Sequence, residues 1–160
     1  MIMMSEDKKH IIQKQSVLML LSIFLLLIGG FTYLIFRPHT LVMFSWLKFI
    51  NCESLFPQRT FNSDSKVIEF FIYSLPDGFW ILSFLIAISL LWKRKRTCFY
   101  IYSTPYTLVS ILFEVFQKYE IIPGTFDFAD IVVLLIFHGI GILIYEFIIL
   151  EVSYEKQKLD

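Results

Sequence analysis

The charges of this 160-residue chain are concentrated between four stretches that are almost free of charge. These stretches are residues 15–36, 70–92, 97–117 and 131–150. Each has about the 20 residues that an apolar helix needs to cross a bilayer, and a helix pairs its own backbone groups in lipid. A soluble domain would spread its charges over its surface, and a disordered chain would not be 57% hydrophobic. The pattern therefore predicts an all-α, polytopic membrane protein with four transmembrane helices.

We expect a single membrane domain over residues 1–160. The predicted segments are transmembrane helices at about 15–36, 73–92, 97–117 and 130–150, an outer loop at 37–69, an inner loop at 93–96 and a cytoplasmic tail at 151–160. A secretory signal peptide is the alternative for the first helix. Its apolar region would be only about 7–15 residues long and followed by a small-residue cleavage site, so we predict a retained helix.

The orientation follows from the basic residues. Short loops rich in Lys and Arg stay in the cytoplasm, and residues 93–96 are four basic residues in a row. Four crossings then place both termini on the cytoplasmic side, where the chain has three further lysines before the first helix and two after the last. The zero net charge and the absence of a basic stripe predict no nucleic-acid partner. The expected partner is the lipid bilayer.

Two connecting segments carry their own signals. Residues 41–50 are apolar but too short to cross, and Ser45, Lys48 and Cys52 recur at helical spacing, which predicts a helix along the outer interface. A re-entrant loop is the alternative. The string Ile122-Pro123-Gly124-Thr125 predicts a type II turn that makes the third and fourth helices a hairpin.

Five polar residues from three of the predicted helices are expected at one depth, about one helical turn from the outer interface. They are Asp77, Glu114, Gln117, Asp127 and Asp130. Together with His138, deeper in the fourth helix, they are the candidate binding residues. A simple interhelical hydrogen bond is the alternative role for His138.

Helix capping competes with a binding role for the aspartates. Ser74-Leu75-Pro76-Asp77 has the spacing of a capping box, and Asp127-Phe128-Ala129-Asp130 offers an N-cap acid with a second acid three residues on. Glu114 is different because it lies near the C-terminal end of its helix, where the helix dipole disfavours an anion. Ionisable residues inside a membrane are candidates for function, so Glu114 is the strongest single candidate.

Convergence of these acids would require their repulsion to be relieved. Protonation of one carboxyl group is one solution. A divalent cation such as Mg²⁺ or Ca²⁺ is another, because all the predicted ligands are oxygen atoms. Beyond this alternative the sequence predicts no cofactor and no dedicated metal site, and no motif of a known catalytic class is present.

The string Glu114-x-x-Gln117, followed by Gly124-Thr125-Phe126-Asp127-x-x-Asp130 at the start of a hydrophobic helix, resembles the VanZ-like membrane family. This sequence departs from the family pattern at Gly124 in place of an arginine, at Leu134 in place of an asparagine and at Phe137 in place of a glycine. The resemblance extends over roughly residues 74–145. It implies a small polytopic protein of the bacterial cell envelope in the plasma membrane, and no defined molecular activity.

Three functions are compatible with these features. The first is a VanZ-like envelope protein whose outward-facing acidic pocket binds a ligand or a membrane protein partner. The second is a membrane enzyme that acts on a lipid-linked or polyprenyl-phosphate substrate, with Glu114 and Asp130 as the candidate catalytic residues. The third is a structural subunit of a membrane complex, in which the acids cap helices or pair with cations of a partner.

Overall fold

The computed structural model of the chain describes residues 6–36, 48–51, 65–122 and 124–159. Four long helices make up most of these residues: α1 (Glu6–Phe36), α2 (Lys66–Leu91), α3 (Arg96–Lys118) and α4 (Phe128–Leu159). No β-strand occurs in the described ranges, which agrees with the predicted all-α class. Most of the predicted interfacial helix at 41–50, and Pro123 of the predicted turn, lie outside the described residues.

Three of the helices are long and apolar enough to cross a membrane. They are Ile12–Phe36, Lys66–Leu91 and Phe128–Ile149. The remaining predicted span, the third at 97–117, corresponds to α3, whose bounds agree with the prediction within one residue at each end. Its 23 residues are about 35 Å long, but α3 is less apolar than the other three helices.

Three polar residues of α3 point into the bundle. Ser103, Thr107 and Glu114 are 0%, 4% and 8% exposed. Between the two ends of the same helix most exposed residues are apolar, among them Ile101, Leu108, Val109, Leu112 and Phe113. A helix on the surface of a soluble protein has the opposite arrangement, with its apolar stripe towards the core. Part of the lower hydropathy of α3 therefore comes from the side that faces protein, while its outer side is mostly apolar.

Helix α2 is the centre of the bundle, with α1 and α4 packed along it. Against α4 the core contains Ile81, Leu85 and Leu134, and against α1 it contains Leu25 and Ile86. This central position brings residues of α2 close to all three other helices.

A reciprocal pair of serines joins α1 to α2. The Ser22 hydroxyl donates to the Ser83 carbonyl oxygen and the Ser83 hydroxyl donates to the Ser22 carbonyl oxygen, each at 2.8 Å. Nearer the C-terminal end of α1, an added Cβ atom at Gly29 would lie only 2.7 Å from the Trp80 indole ring, whereas the space around Gly30 is open. Of the two adjacent glycines, only Gly29 is a close contact point between these helices.

The contact between α2 and α4 also depends on glycine. A Cβ atom at Gly141 would overlap Leu85, whereas nothing lies within 4 Å of one at Gly139. A Cβ atom at Gly78 would lie 2.5 Å from Val133, so α2 contributes a close contact of its own. Small residues of this kind allow helix backbones to approach each other closely in a membrane.

Helix α2 begins earlier than predicted and contains a π-helical turn at Phe70–Ser74. The Leu75 N–H donates to the Phe70 carbonyl oxygen, five residues earlier. Pro76 follows directly, and a proline removes one helical hydrogen bond and crowds the preceding turn, which a wider turn accommodates. The predicted capping box at Ser74–Asp77 is wrong, because Ser74 is helical and makes no side-chain capping hydrogen bond.

Candidate functional site

A cavity of about 300 Å³ lies among the four helices, at the end of the bundle where α1 and α3 end and α4 begins. Four of the predicted site residues line it: Asp77, Glu114, Gln117 and Asp130. They come from three different helices, α2, α3 and α4. Three of the four acids that were predicted to lie at one depth therefore also face one common space.

Two of these acids are deeply buried. Glu114 is 8% exposed and Asp130 is 6% exposed, while Asp77 and Gln117 are half-buried. Burying a carboxylate removes its hydration, which is costly unless the protein or a ligand replaces the lost interactions. Two buried ionisable side chains that line one cavity are candidates for function in a membrane protein.

The π-helical turn determines which side of α2 carries Asp77. One extra residue in a turn rotates everything after it by about 100° relative to a regular α-helix, since each residue advances the helix by that angle. Asp77 comes three residues after the end of the π-helical turn, inside a helix that continues through it. Its position at the cavity wall therefore reflects the turn before it and not a role in capping a free helix end.

Aromatic rings form another part of the cavity wall. The rings come from α1, α2 and α3: Tyr33, Trp80, Tyr106 and Phe113. The centroids of Tyr33 and Trp80 are 5.1 Å apart, and Tyr106 stacks on Phe84 of α2 at 4.0 Å. The Trp80 indole N–H is buried and has no hydrogen-bond acceptor among the described residues.

Neither the aromatic wall nor Ser110 was predicted from the sequence, although the sequence of α3 contains a signal for Ser110. Ser103, Thr107, Ser110, Glu114 and Gln117 are spaced alternately by four and three residues, which places them on one face of a helix. This spacing identifies Ser110 as a residue on the side of Glu114. Ser110 does line the cavity, and its hydroxyl donates to a backbone carbonyl oxygen in its own helix at 3.1 Å.

Gly124 closes the cavity between α3 and α4. Its φ of +148° lies in a region that favours glycine, in line with the glycine predicted for this turn. A Cβ atom here would lie 2.6 Å from Cδ of Gln117. Because Gly124 has no side chain, the Gln117 side chain has room to lie in the cavity wall.

Asp127 lies outside the cavity and caps α4. It is exposed, and its Oδ1 atom accepts a hydrogen bond of 2.9 Å from the Ala129 N–H. This is the capping role that was the alternative to binding. Asp127 and Asp130 are only three residues apart, but only Asp130 faces the cavity.

His138 is also separate from the cavity lining. Its Nδ1 atom lies 2.8 Å from the Thr107 hydroxyl, which joins α4 to α3 across the bundle. Thr107 in turn donates to the Ser103 carbonyl oxygen at 3.3 Å. His138 therefore makes the interhelical hydrogen bond that was the alternative to a binding role.

The cavity acids do not form a compact metal site. Within the described ranges, no group of three or more His, Cys, Asp or Glu residues is arranged so that it could hold a metal ion. Asp77, Glu114 and Asp130 therefore share a space without converging on one point. The divalent cation considered from the sequence finds no three-acid site in this part of the chain.

The opposite end of the bundle holds the basic loop. Arg96 forms an ion pair of 2.7 Å with Glu146, and the Tyr100 hydroxyl donates to the same carboxylate oxygen at 2.9 Å. Lys93 donates to the Gln15 amide oxygen at 2.9 Å. Glu146 thus links α4 to the start of α3.

Comparison of the chain with protein-family models, with curated proteins and with solved structures finds no match. The resemblance to the VanZ-like family stays a prediction, carried by Glu114, Gln117, Asp127 and Asp130.

Proposed function

We propose that the chain is an integral membrane protein that crosses the bilayer four times. In this proposal α3 spans the membrane as well as α1, α2 and α4. The exposed surface supports this proposal, because large apolar residues are exposed on every helix; examples are Leu20, Phe71, Leu108 and Leu143. The orientation of α3 supports it further. A helix with buried serine, threonine and glutamate and an apolar outer face is suited to lipid outside and a polar interior.

The basic loop lies in the cytoplasm and the cavity opens towards the outside of the cell in this proposal. Lys93, Arg94, Lys95 and Arg96 lie at the end of the bundle opposite to Glu114 and Asp130, and short basic loops stay in the cytoplasm. Both termini are then cytoplasmic. The proposed location is the plasma membrane of a bacterium, as the VanZ-like resemblance implies.

The orientation can be measured with single cysteines. In a background with Cys52→Ser and Cys98→Ser, Arg94→Cys and Lys118→Cys place exposed thiols at the two ends of the bundle. A membrane-impermeant maleimide added to intact cells should label Lys118→Cys, and should label Arg94→Cys only after the membrane is permeabilised. Labelling of Arg94→Cys in intact cells would contradict the proposed topology.

The function proposed for this protein is ligand binding in the acidic cavity, as part of a cell-envelope protein of VanZ-like type. One observation carries the proposal: Glu114 and Asp130, on two different helices, are both more than nine-tenths buried and both line the same cavity. A merely structural acid near a helix end would reach the surrounding water, as Asp127 does. The two buried acids instead face a space that is large enough for a small ligand.

Glu114→Gln tests the proposal because it keeps the shape of the side chain and removes its charge. Cells that lack the endogenous protein should be complemented with this variant, and both its amount in membranes and the growth of the cells under envelope stress should be measured. We expect a normal amount of protein and loss of complementation. Asp127→Asn is the matched control, since it removes a carboxylate outside the cavity, and it should complement fully.

The outcome separates ligand binding from a structural role. If Glu114→Gln complements as well as Asp127→Asn, the cavity is not a functional site. If Glu114→Gln lowers the amount of protein in the membrane, the acid stabilises the fold or a complex instead.

A further inference from the structure

We infer that the basic end of the bundle binds the headgroup of an anionic phospholipid. The inference rests on the membrane location proposed above and is independent of the acidic cavity. A groove of about 420 Å³ lies at the turn between α2 and α3, within the range of small-ligand sites, roughly 300–1,000 Å³. Two apolar residues and the three basic residues that follow them line this basic groove: Leu91, Trp92, Lys93, Arg94 and Lys95.

Two of the four consecutive basic residues are already engaged within the bundle. Arg96 pairs with Glu146 at 2.7 Å, and the Lys93 ammonium group donates to an amide oxygen of α1 at 2.9 Å. Arg94 and Lys95 are exposed, and neither has a carboxylate partner among the described residues. The basic groove therefore presents two cations that this part of the chain does not neutralise.

The position of these cations relative to the helices favours a bound anion. Cations complement the C-terminal end of a helix, which accounts for Lys93 and Arg94 after the end of α2. The N-terminal end has the opposite preference, because its backbone N–H groups carry partial positive charge. Yet α3 has no acid in its first turn, and Lys95 at its N-cap makes no side-chain capping hydrogen bond. An anion in the basic groove would offset the repulsion between Lys95 and this helix end.

The turn that carries the basic groove is held in one conformation by its own contacts. The Lys95 N–H donates to the Trp92 carbonyl oxygen at 2.9 Å, and the Tyr145 hydroxyl donates to the same oxygen at 3.3 Å. The Trp92 ring stacks on Tyr102, with centroids 5.9 Å apart and planes at 13°. A surface that is ordered before binding loses less entropy when a ligand arrives. The basic groove is therefore a preorganised surface and differs from a flexible basic segment.

The apolar part of the basic groove indicates that the anion belongs to a lipid. Leu91 is the last residue of the apolar span Lys66–Leu91 and is 75% exposed. Trp92 follows it, and tryptophan is enriched at the level of the lipid headgroups. Basic residues directly beside a span attract anionic lipids. A phospholipid fits both parts, since its phosphate can contact Arg94 and Lys95 while an acyl chain covers Leu91. Free phosphate would use the basic part alone.

Trp92 can report which lipid lies in the basic groove. The full-length chain with Trp46→Phe and Trp80→Phe keeps Trp92 as its one tryptophan, because the sequence has three. This protein is reconstituted in vesicles of equal amounts of phosphatidylglycerol and phosphatidylcholine, in which one of the two lipids carries brominated acyl chains that quench tryptophan fluorescence. Exchanging the brominated lipid gives the ratio of the two affinities beside Trp92. We expect phosphatidylglycerol to be favoured at least about threefold.

Variants link this preference to the basic groove. Arg94→Gln combined with Lys95→Gln should bring the ratio of the two affinities close to one. Lys118→Gln is the matched control, because it removes an exposed cation at the opposite end of the bundle, and it should keep the ratio of the parent protein. Native mass spectrometry of the chain with all three tryptophans is a second measurement, in which the parent protein should retain more phosphatidylglycerol than the double variant.

Three results would overturn the inference. They are equal affinity for the two lipids in the parent protein, an unchanged ratio in the double variant, and stronger competition by sodium phosphate than by sodium chloride at equal ionic strength, which would identify free phosphate as the ligand. Failure here is distinguishable from failure of the proposed function. Equal quenching by both brominated lipids contradicts the anionic lipid alone, whereas no quenching by either contradicts a position of Trp92 in the membrane. The cavity is tested separately by Glu114→Gln in cells.

Discussion

Replacing Gly141 by alanine tests the packing of α4 against the central helix α2. A Cβ atom at this position would overlap the side chain of Leu85 and would lie 2.7 Å from the Leu85 Cβ atom. The Leu85 Cβ atom cannot be moved by rotating a side-chain torsion, because it is bonded to the α2 backbone. The two helices therefore have to separate to accept the methyl group.

Gly139, two residues earlier in α4, provides a matched control that isolates the cost of this steric overlap. Gly139→Ala introduces the same methyl group into open space, since nothing lies within 4 Å of it. Both substitutions improve helix propensity, by roughly 0.8–1.0 kcal/mol. The difference between the two variants removes this shared contribution and leaves the cost of overpacking, which is typically about 1–3 kcal/mol.

The free energy of unfolding can be measured by adding dodecyl sulfate to the protein in mild detergent and following its helix content by circular dichroism. Gly141→Ala should unfold at a lower fraction of dodecyl sulfate than the parent protein, and Gly139→Ala should not. Equal midpoints for the two variants would refute the close approach of α2 and α4 at Leu85.

Four further substitutions test other contacts with the same unfolding assay. Ser22→Ala and Ser83→Ala should each cost about 0.6 kcal/mol, a typical value for interhelical hydrogen bonds in membranes. The costs should be nearly additive in the double variant, because each hydroxyl donates to the other residue's backbone carbonyl oxygen, which alanine keeps. An unchanged midpoint in both single variants would contradict the reciprocal pair. Gly124→Ala should cost about 1–3 kcal/mol because of its positive φ, and an unchanged midpoint would refute that backbone conformation. Glu146→Gln should cost less than about 1 kcal/mol, since its partner Arg96 is largely exposed, and a larger loss would show that this ion pair is shielded from water.

The depth of residues in the bundle follows from the sequence because the rise of a helix per residue is fixed. Counting from the basic loop brought Asp77, Glu114 and Asp130 to the same end of the bundle, and all three line the cavity there. The bounds of α3 were predicted within one residue because charged residues flank a run in which Glu114 is the one charged residue.

The direction in which a residue faces depends on packing, which the sequence describes less directly. Asp127 and Asp130 are equivalent by depth, but one caps α4 and the other is buried. The π-helical turn before Pro76 changes the direction in which every later residue of α2 points. No periodic pattern in the sequence indicates this turn. The partner of Glu146 could not be predicted either, because it depends on how α3 and α4 approach each other.

The inward polarity of α3 has a consequence for how the protein is made. A single helix that carries Ser103, Thr107 and Glu114 on one side would expose them to lipid tails if it left the translocon alone. Helices α2 and α4 cover that side in the finished bundle. We expect α3 to remain beside the insertion machinery until α4 has been synthesised, so that the two enter the lipid together as one unit.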